Sequence, residues 1–362
     1  MLNVMLVGGT YNESGGKASG LVRKCYEEFV QLYRGNGVVR LYNGGTLQNL
    51  KDIITEVKSS DIVYWFANVN NAEEKLIKSI KEINNKVMLI ESKVNNGKYE
   101  PRDIVAHILK NKANLCVEMI TSYQGMVIMK VLDPLGNMFA NYTADYKKIC
   151  SVVYKRVEFL RSLKRQATQF IDMEVPTPTV DGRFLEIIRK HGETFTHLLN
   201  PANAERFLGN SSFRCMKGFP SFRDSEAIYV SRRNIDKSSI GEDGFVPIVM
   251  NNNSTEYFVL GKVKPSVDTP IQIRLYQYYP NISYMLHSHV YIEGAPFTSQ
   301  ILPCGAVEEF DEIVKLFQDK GIKNASINLL GHGSLAMTDS TDYFDTLEYY
   351  ARTLPYDCTG IY

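Results

Sequence analysis

Apolar positions in the first half of the chain alternate between short continuous runs and stretches with helical spacing. Asn3–Val7 is an apolar run that ends in Gly8-Gly9, as a buried strand does when it enters a turn. Leu21–Tyr33 has helical periodicity, and Val38–Tyr42 is strand-like and ends in Gly44-Gly45. The alternation continues with a helix over Leu47–Val57, a strand over Asp61–Phe66, a helix over Glu74–Ile83, a strand over Lys86–Glu91 and a helix over Pro101–Lys110. Two further strands, Ala113–Met119 and Met126–Leu132, precede a long helical stretch from Asp145 to Arg165. Strands and helices in alternation predict a Rossmann-like α/β domain with a mostly parallel sheet over residues 1–170. Pro176, Pro178 and Gly182 then break the helical pattern, so residues 171–182 read as a linker and 183–362 as a second domain.

At 362 residues, 44% of them hydrophobic and 22% charged, the chain can bury two cores and is not a disordered protein. Its net charge of +1 gives no electrostatic footprint for nucleic acid or an anionic membrane surface. The basic helix ahead of the linker, with Lys155, Arg156, Arg161, Lys164 and Arg165, reads as a solvated face. The six cysteines have no CxxC spacing and read as thiols of a reducing compartment. No apolar stretch reaches the roughly 20 residues that span a bilayer, and no signal peptide is evident, so a soluble cytoplasmic protein is expected.

Candidate chemistry in the first half is thin. Ser14-Gly-Gly-Lys17 departs from the P-loop, because Tyr11 stands where its first glycine belongs and Ala18 follows the lysine. GxGxxG is absent as well. A phosphate-binding loop and a glycine-rich turn kept for backbone geometry both remain open.

The second half carries more. His287 and His289, at i and i+2 in a β-like run, put both imidazoles on one face of a strand. His332 lies between two glycines and can approach from a neighbouring turn. Three nitrogen ligands with an open position are the pattern of a catalytic zinc site, and an ordinary strand pair plus a turn histidine is the alternative. His107, His191 and His197 read as surface or capping residues, and Cys304 as a small buried residue or one at a pocket mouth. Glu308, Glu309 and Asp311 open a helix, where the dipole favours acids, and one of them could double as a catalytic acid for a neighbouring subunit's site.

Four motifs occur in order over about residues 183–355: Gly209-Asn210 before a strand, Lys264-Pro-Ser-Val-Asp268-Thr-Pro270, His287-Ser-His289 and His332-Gly333. Together they resemble the class II aldolase/adducin family, and Asp268 with Leu275-Tyr276-Gln277 is similar to the L-ribulose-5-phosphate 4-epimerase branch. The resemblance implies an α/β/α domain with a central, largely antiparallel sheet, and a homotetramer. It implies Zn2+ or another divalent metal on His287, His289 and His332, with Asp268 beside it as ligand or proton-transferring acid. Asn210 and Ser266 would hold a substrate phosphate, and Ser231 would add a hydroxyl. The implied activity is that of a lyase or isomerase of carbohydrate metabolism, a sugar-phosphate aldolase or epimerase. Adducin marks the alternative, a non-catalytic binding or scaffold protein, and a bifunctional protein whose first domain binds a nucleotide or sugar phosphate is another.

The chain departs from the family at the turn after Ile228–Ser231, where Arg232-Arg233-Asn234 replaces a compact Ser/Thr-Pro-Ser/Thr-Gly turn. Val267 replaces a second serine, and the C-terminal extension that carries the epimerase's catalytic tyrosine is expected to be absent. Tyr349, Tyr350, Tyr356 and Tyr362 are candidate replacements, with helix packing as the other role for the first two.

Overall fold

The computed structural model describes residues 1–68, 73–122, 124–164, 168–175, 177–199, 206–214, 227–250 and 257–361. The chain divides into two compact units, Met1–Ser162 with Leu354–Tyr362, and Leu163–Thr353. The sequence boundaries of 170 and 183 differ from this division in two places. The chain's last residues return to the first unit, and the segment around residue 170 forms a strand of the second.

The first unit runs β1 (Leu2–Asn12), α1 (Gly20–Leu32), β2 (Gly37–Thr46), α2 (Leu47–Glu56), β3 (Ile62–Trp65), α3 (Glu73–Ile83), β4 (Met88–Val94), α4 (Pro101–Asn111), β5 (Leu115–Thr121), β6 (Val127–Leu132), β7 (Asn137–Thr143) and α5 (Tyr146–Ser162). Strand order 2-1-3-4-5 is parallel throughout, and β6 and β7 extend the sheet antiparallel. This is the mostly parallel sheet that the alternating pattern predicts. β7 was not legible because polar Asn137, Asn141 and Thr143 interrupt its apolar run. Local signals set the helix starts: the Ser19 hydroxyl accepts from Val22 N, Thr46 and Asn49 cap each other reciprocally, and Pro101 occupies the first turn of α4. α2, α3 and α4 cover one face of the sheet through Leu50, Ile53, Ile77, Ile80, Ile104 and Ile108.

The glycine-rich segment after β1 is tied into this sheet by its backbone. Thr10 N donates to Lys17 O (2.9 Å) and Gly16 N to Gly45 O (2.8 Å). Those two N–H groups are therefore engaged within the fold. A cavity of about 180 Å³ lies one strand further along, at the carboxyl ends of β3 and β4, lined among others by Asn68, Ser92, Lys93 and His107. His107 is half-buried rather than fully at the surface: its Nε2 lies 3.6 Å from Glu91 Oε1, a carboxylate with no exposed surface.

The second unit contains β8 (Thr168–Ile171), α6 (Gly182–Leu199), β9 (Asn210–Arg214), β10 (Ala227–Ser231), β11 (Phe245–Met250), β12 (Tyr257–Leu260), α7 (Thr269–Tyr278), β13 (Tyr284–Ser288), β14 (Tyr291–Ile292), α8 (Glu308–Leu316), β15 (Asn324–Leu329), β16 (Gly333–Thr338) and β17 (Tyr349–Tyr350). A last short strand, β18 (Tyr356–Asp357), pairs with β7 in the first unit. Sheet order is 15-16-13-9-10-11-12-8, antiparallel except where β8 lies parallel to β12. Period-two alternation sends Ile228, Val230, Val246 and Ile248 to a core with α7 and α8. It sends Ala227, Tyr229, Phe245 and Val249 to a core with α6, which gives the expected α/β/α arrangement. His191 belongs to this second core and not to the surface: it is 6% exposed and its ring lies 5.7 Å from that of Phe195.

No helix of the described residues is long and apolar enough to cross a membrane. The described cysteines, Cys25, Cys116, Cys150, Cys304 and Cys358, form no disulfide.

Candidate metal centre

Antiparallel pairing gathers the motifs at one end of the second sheet. His287 near the end of β13 is opposite Asn210 at the start of β9 and Leu335 on β16. The end of β10 lies beside the start of β9, where the Ser231 hydroxyl accepts from Ser211 N (3.1 Å). Ser266 N in turn donates to Ser231 O (3.1 Å), which brings in the segment leading to Asp268. Segments more than a hundred residues apart thus meet because neighbouring strands run in opposite directions.

Two glycines permit this approach. Gly209 has φ +82°, and a Cβ there would stand 2.5 Å from His287 O. At Gly333 a Cβ would stand 1.9 Å from Ser288 O.

His287, His289 and His332 are buried, and their ligand atoms lie within 4.8 Å of one another. His287 Nδ1 sits 2.8 Å from Ser334 O, a pure acceptor, so Nδ1 carries the hydrogen and Nε2 keeps its lone pair. That Nε2 is buried without a hydrogen-bond partner, and Asp268 Oδ2 is 3.6 Å away. His332 Nδ1 donates to Glu309 Oε1 (2.8 Å), and its Nε2 faces Cys304 Sγ at 3.2 Å. Imidazoles held from behind by a carbonyl and a carboxylate, with an orphaned nitrogen in front, fit a divalent metal. Burial pushes the His287 pKa down to about 4, and burial with the neighbouring His332 pushes His289 well below its usual value, so both are neutral donors. His332 behaves oppositely: burial would lower its pKa, but Cys304 and Glu309 more than offset that and hold it well above.

Asp268 stands at the N-cap of α7 but does not cap it with its side chain. Its Oδ1 accepts from Gly305 N (2.8 Å) and its Oδ2 from Asn210 Nδ2 (2.9 Å). Gln272, one turn along α7, donates to Asn210 Oδ1. The amide of Asn210 is therefore spent on orienting the carboxylate. Ser266 is 8% exposed, and its hydroxyl lies 3.4 Å from Asp268 N.

Five residues at or near this site were missed or given another role in the sequence reading. Glu309 was one of three acids opening α8, yet it is buried behind His332 in the same chain. Cys304 contacts His332. Gln272 is four residues after Asp268, a helical spacing that could have drawn attention to it. Arg352 Nη1 donates to His332 O (2.9 Å). Lys237 is buried, its ammonium donates to Phe207 O (2.9 Å) and Leu208 O (3.3 Å), and burial lowers its pKa to about 8. No spacing rule marks Arg352 or Lys237, because their burial is created by the tertiary fold. Of the tyrosines, Tyr349 and Tyr350 lie in β17 rather than a helix, and Tyr349 packs on His191 and Phe195. Tyr356 is in β18, and Tyr362 lies outside the described residues.

No family profile and no curated protein sequence matches the chain. Among solved structures it is similar to a sugar-phosphate aldolase from Thermotoga maritima, at 13% identity and TM-score 0.33, over 45% of this chain and 91% of that one. It is also similar to the N-terminal class II aldolase domain of a conserved protein from Thermoplasma acidophilum, at 16% identity and TM-score 0.33, over 48% and 92%. A third is a DNA/pantothenate metabolism flavoprotein from Streptococcus pneumoniae, at 13% identity and TM-score 0.34, over 44% and 99%. Similarity at this level leaves the site itself as the ground for a functional reading.

Proposed function

We propose that the protein is a metal-dependent lyase or epimerase acting on a phosphorylated sugar. The observation that carries this reading is the orphaned Nε2 of His287, converging with His289 and His332 beside a carboxylate that other groups hold in place. A scaffold protein gains nothing from a buried nitrogen without a partner, which costs about 1–3 kcal/mol.

His287, His289 and His332 would hold the ion, with Zn2+ the best fit to nitrogen donors. When bound, the ion would supply Lewis-acid stabilisation of an enediolate. Asp268 accepts or delivers the proton at its carboxylate, and Asn210 and Gly305 keep that carboxylate aimed. Ser266 and Ser231, at the end of the sheet, would supply hydroxyl donors to the substrate phosphate, while Asn210, which the resemblance also assigns to the phosphate, is engaged with Asp268 and Gln272. A ring of four subunits in the cytoplasm is part of the same reading.

The test is a screen of ketose and aldose phosphates with the full-length protein, with aldehyde release and C4 inversion followed by NMR. Turnover of at least one substrate that is lost in Asp268→Asn supports the reading. Absence of turnover across the screen in metal-loaded protein contradicts it.

A second reading concerns the first unit, favoured by the cavity at the carboxyl ends of β3 and β4, where open α/β sheets bind ligands. There Lys93 would hold the anionic group of a nucleotide or sugar phosphate. Stabilisation by AMP or ribose 5-phosphate in a thermal melt, abolished by Lys93→Ala but not by His287→Ala, supports it, and no stabilisation by either contradicts it.

A further inference from the structure

The three-histidine cluster adjoins a second trio. Asp268, Cys304 and His332 also offer ligand atoms within 4.8 Å of one another. Two bonds of about 2.0–2.3 Å from one ion bridge donors up to roughly 4.6 Å apart, and Cys304 Sγ, 3.2 Å from His332 Nε2, lies inside that reach. The two differ in what already holds them. Each Asp268 oxygen accepts an N–H, from Gly305 and from Asn210, and these bonds fix the carboxylate in a pose suited to proton transfer. The Cys304 thiol is in no disulfide and is directed at the ring nitrogen that would bind the ion, at 3.2 Å. Pro303-Cys304-Gly305 is one short segment, so the backbone that orients the acid also presents the sulfur.

We propose that Cys304 is the fourth protein ligand, in the resting protein, of the ion held by His287, His289 and His332, with substrate adding as a fifth donor, and that its sulfur selects a thiophilic ion such as Zn2+ or Co2+ over Mg2+ or Mn2+. The inference rests on the metal reading above and adds the ion's identity and the role of the thiol. On ligation the S–H bond breaks heterolytically, the sulfur electron pair forms the bond to the ion, and the proton passes to the buffer. Soft thiolate donors favour zinc-like ions, whereas oxygen donors favour magnesium and manganese. Asp268 then stays out of the resting ligand shell and free to move a proton.

The test loads the full-length protein with Co2+ and records its absorption spectrum. Visible ligand-field bands report that the ion is bound, and a near-ultraviolet thiolate-to-cobalt charge-transfer band reports sulfur ligation. The expected result is a charge-transfer band that disappears in Cys304→Ser and Cys304→Ala, while Asp268→Asn retains it. Zn2+ affinity in those cysteine variants should fall by at least about tenfold, since even residues behind a ligand cost about 10–100-fold. Circular dichroism checks that each variant is folded, and the alanine variant guards against a perturbing serine hydroxyl. Ligand-field bands with no charge-transfer band, or a band that survives in both cysteine variants, overturn the assignment while leaving the metal reading intact. A wild-type protein that binds no Co2+ overturns both.

Discussion

The two eight-stranded sheets hold buried polar groups in different ways. In the first unit, two buried carboxylates are each held by several partners. Lys130 Nζ lies 2.8 Å from Glu118 Oε2, and Asn95 and Tyr142 donate to Glu118 Oε1 at 2.6 and 2.8 Å. Asp133 accepts from Leu135 N, Asn137 N and Asn137 Nδ2. In the second unit, His287 Nε2 is buried with no hydrogen bond, although its ring is locked by Ser334. An orphaned atom alone does not mark a site, since Tyr11 Oη and Trp65 Nε1 in the first unit are also buried without a hydrogen bond. What sets His287 apart is that its nitrogen converges with those of His289 and His332.

The largest effect expected is on turnover. Asp268→Asn should lower activity by about 10²–10⁴-fold, the usual range for a proton-transferring side chain, with bound metal unchanged. Metal analysis beside the assay separates this from loss of the ion. The counterpart in the first unit is Lys130→Met, which strands a buried carboxylate. Breaking such a pair costs about 3–5 kcal/mol, read as a lower denaturation midpoint, while metal binding at the other unit stays the same. Loss of metal in this variant would break the contrast between the units.

Much of this was open to sequence reasoning because each feature was local. Most strands and helices of the first unit follow from apolar runs and helical spacing. Period two alone pairs His287, on β13, with His289, which follows one residue after that strand ends. Asn210, Asp268 and His332 needed the ordered motifs, since only sheet pairing brings them to one place. Glu309 and Cys304 were read by their local settings, a helix start and a small-residue turn, and those settings do not reveal that each faces one nitrogen of His332. His191, read as a capping or surface residue, is buried for the same reason. A histidine's burial depends on what packs over its helix, which adjacent residues do not encode.

A smaller effect sharpens the contrast within the second unit. Glu309→Gln keeps the shape behind His332 but removes the carboxylate charge, and should weaken metal affinity by about 10–100-fold in a chelator competition. The smallest concerns pH. His191 makes no contact with the cluster, and burial lowers its pKa from the ordinary value to about 4. Between that value and about 6.5 the unfolded chain binds more protons than the native one, so stability rises with pH across this window and falls as the solution is acidified. His191→Phe should flatten that slope by on the order of 2 kcal/mol in denaturant midpoints measured between pH 4 and 7, with no change above pH 7.

The central claim is that His287, His289 and His332 hold a divalent ion, and elemental analysis of the purified protein tests it most directly. The account predicts about one equivalent of a zinc-like metal per chain, and a drop of at least about tenfold in His287→Ala with the fold retained. Substoichiometric metal, below about 0.2 per chain after incubation with Zn2+, or a content unaltered by His287→Ala, would contradict it.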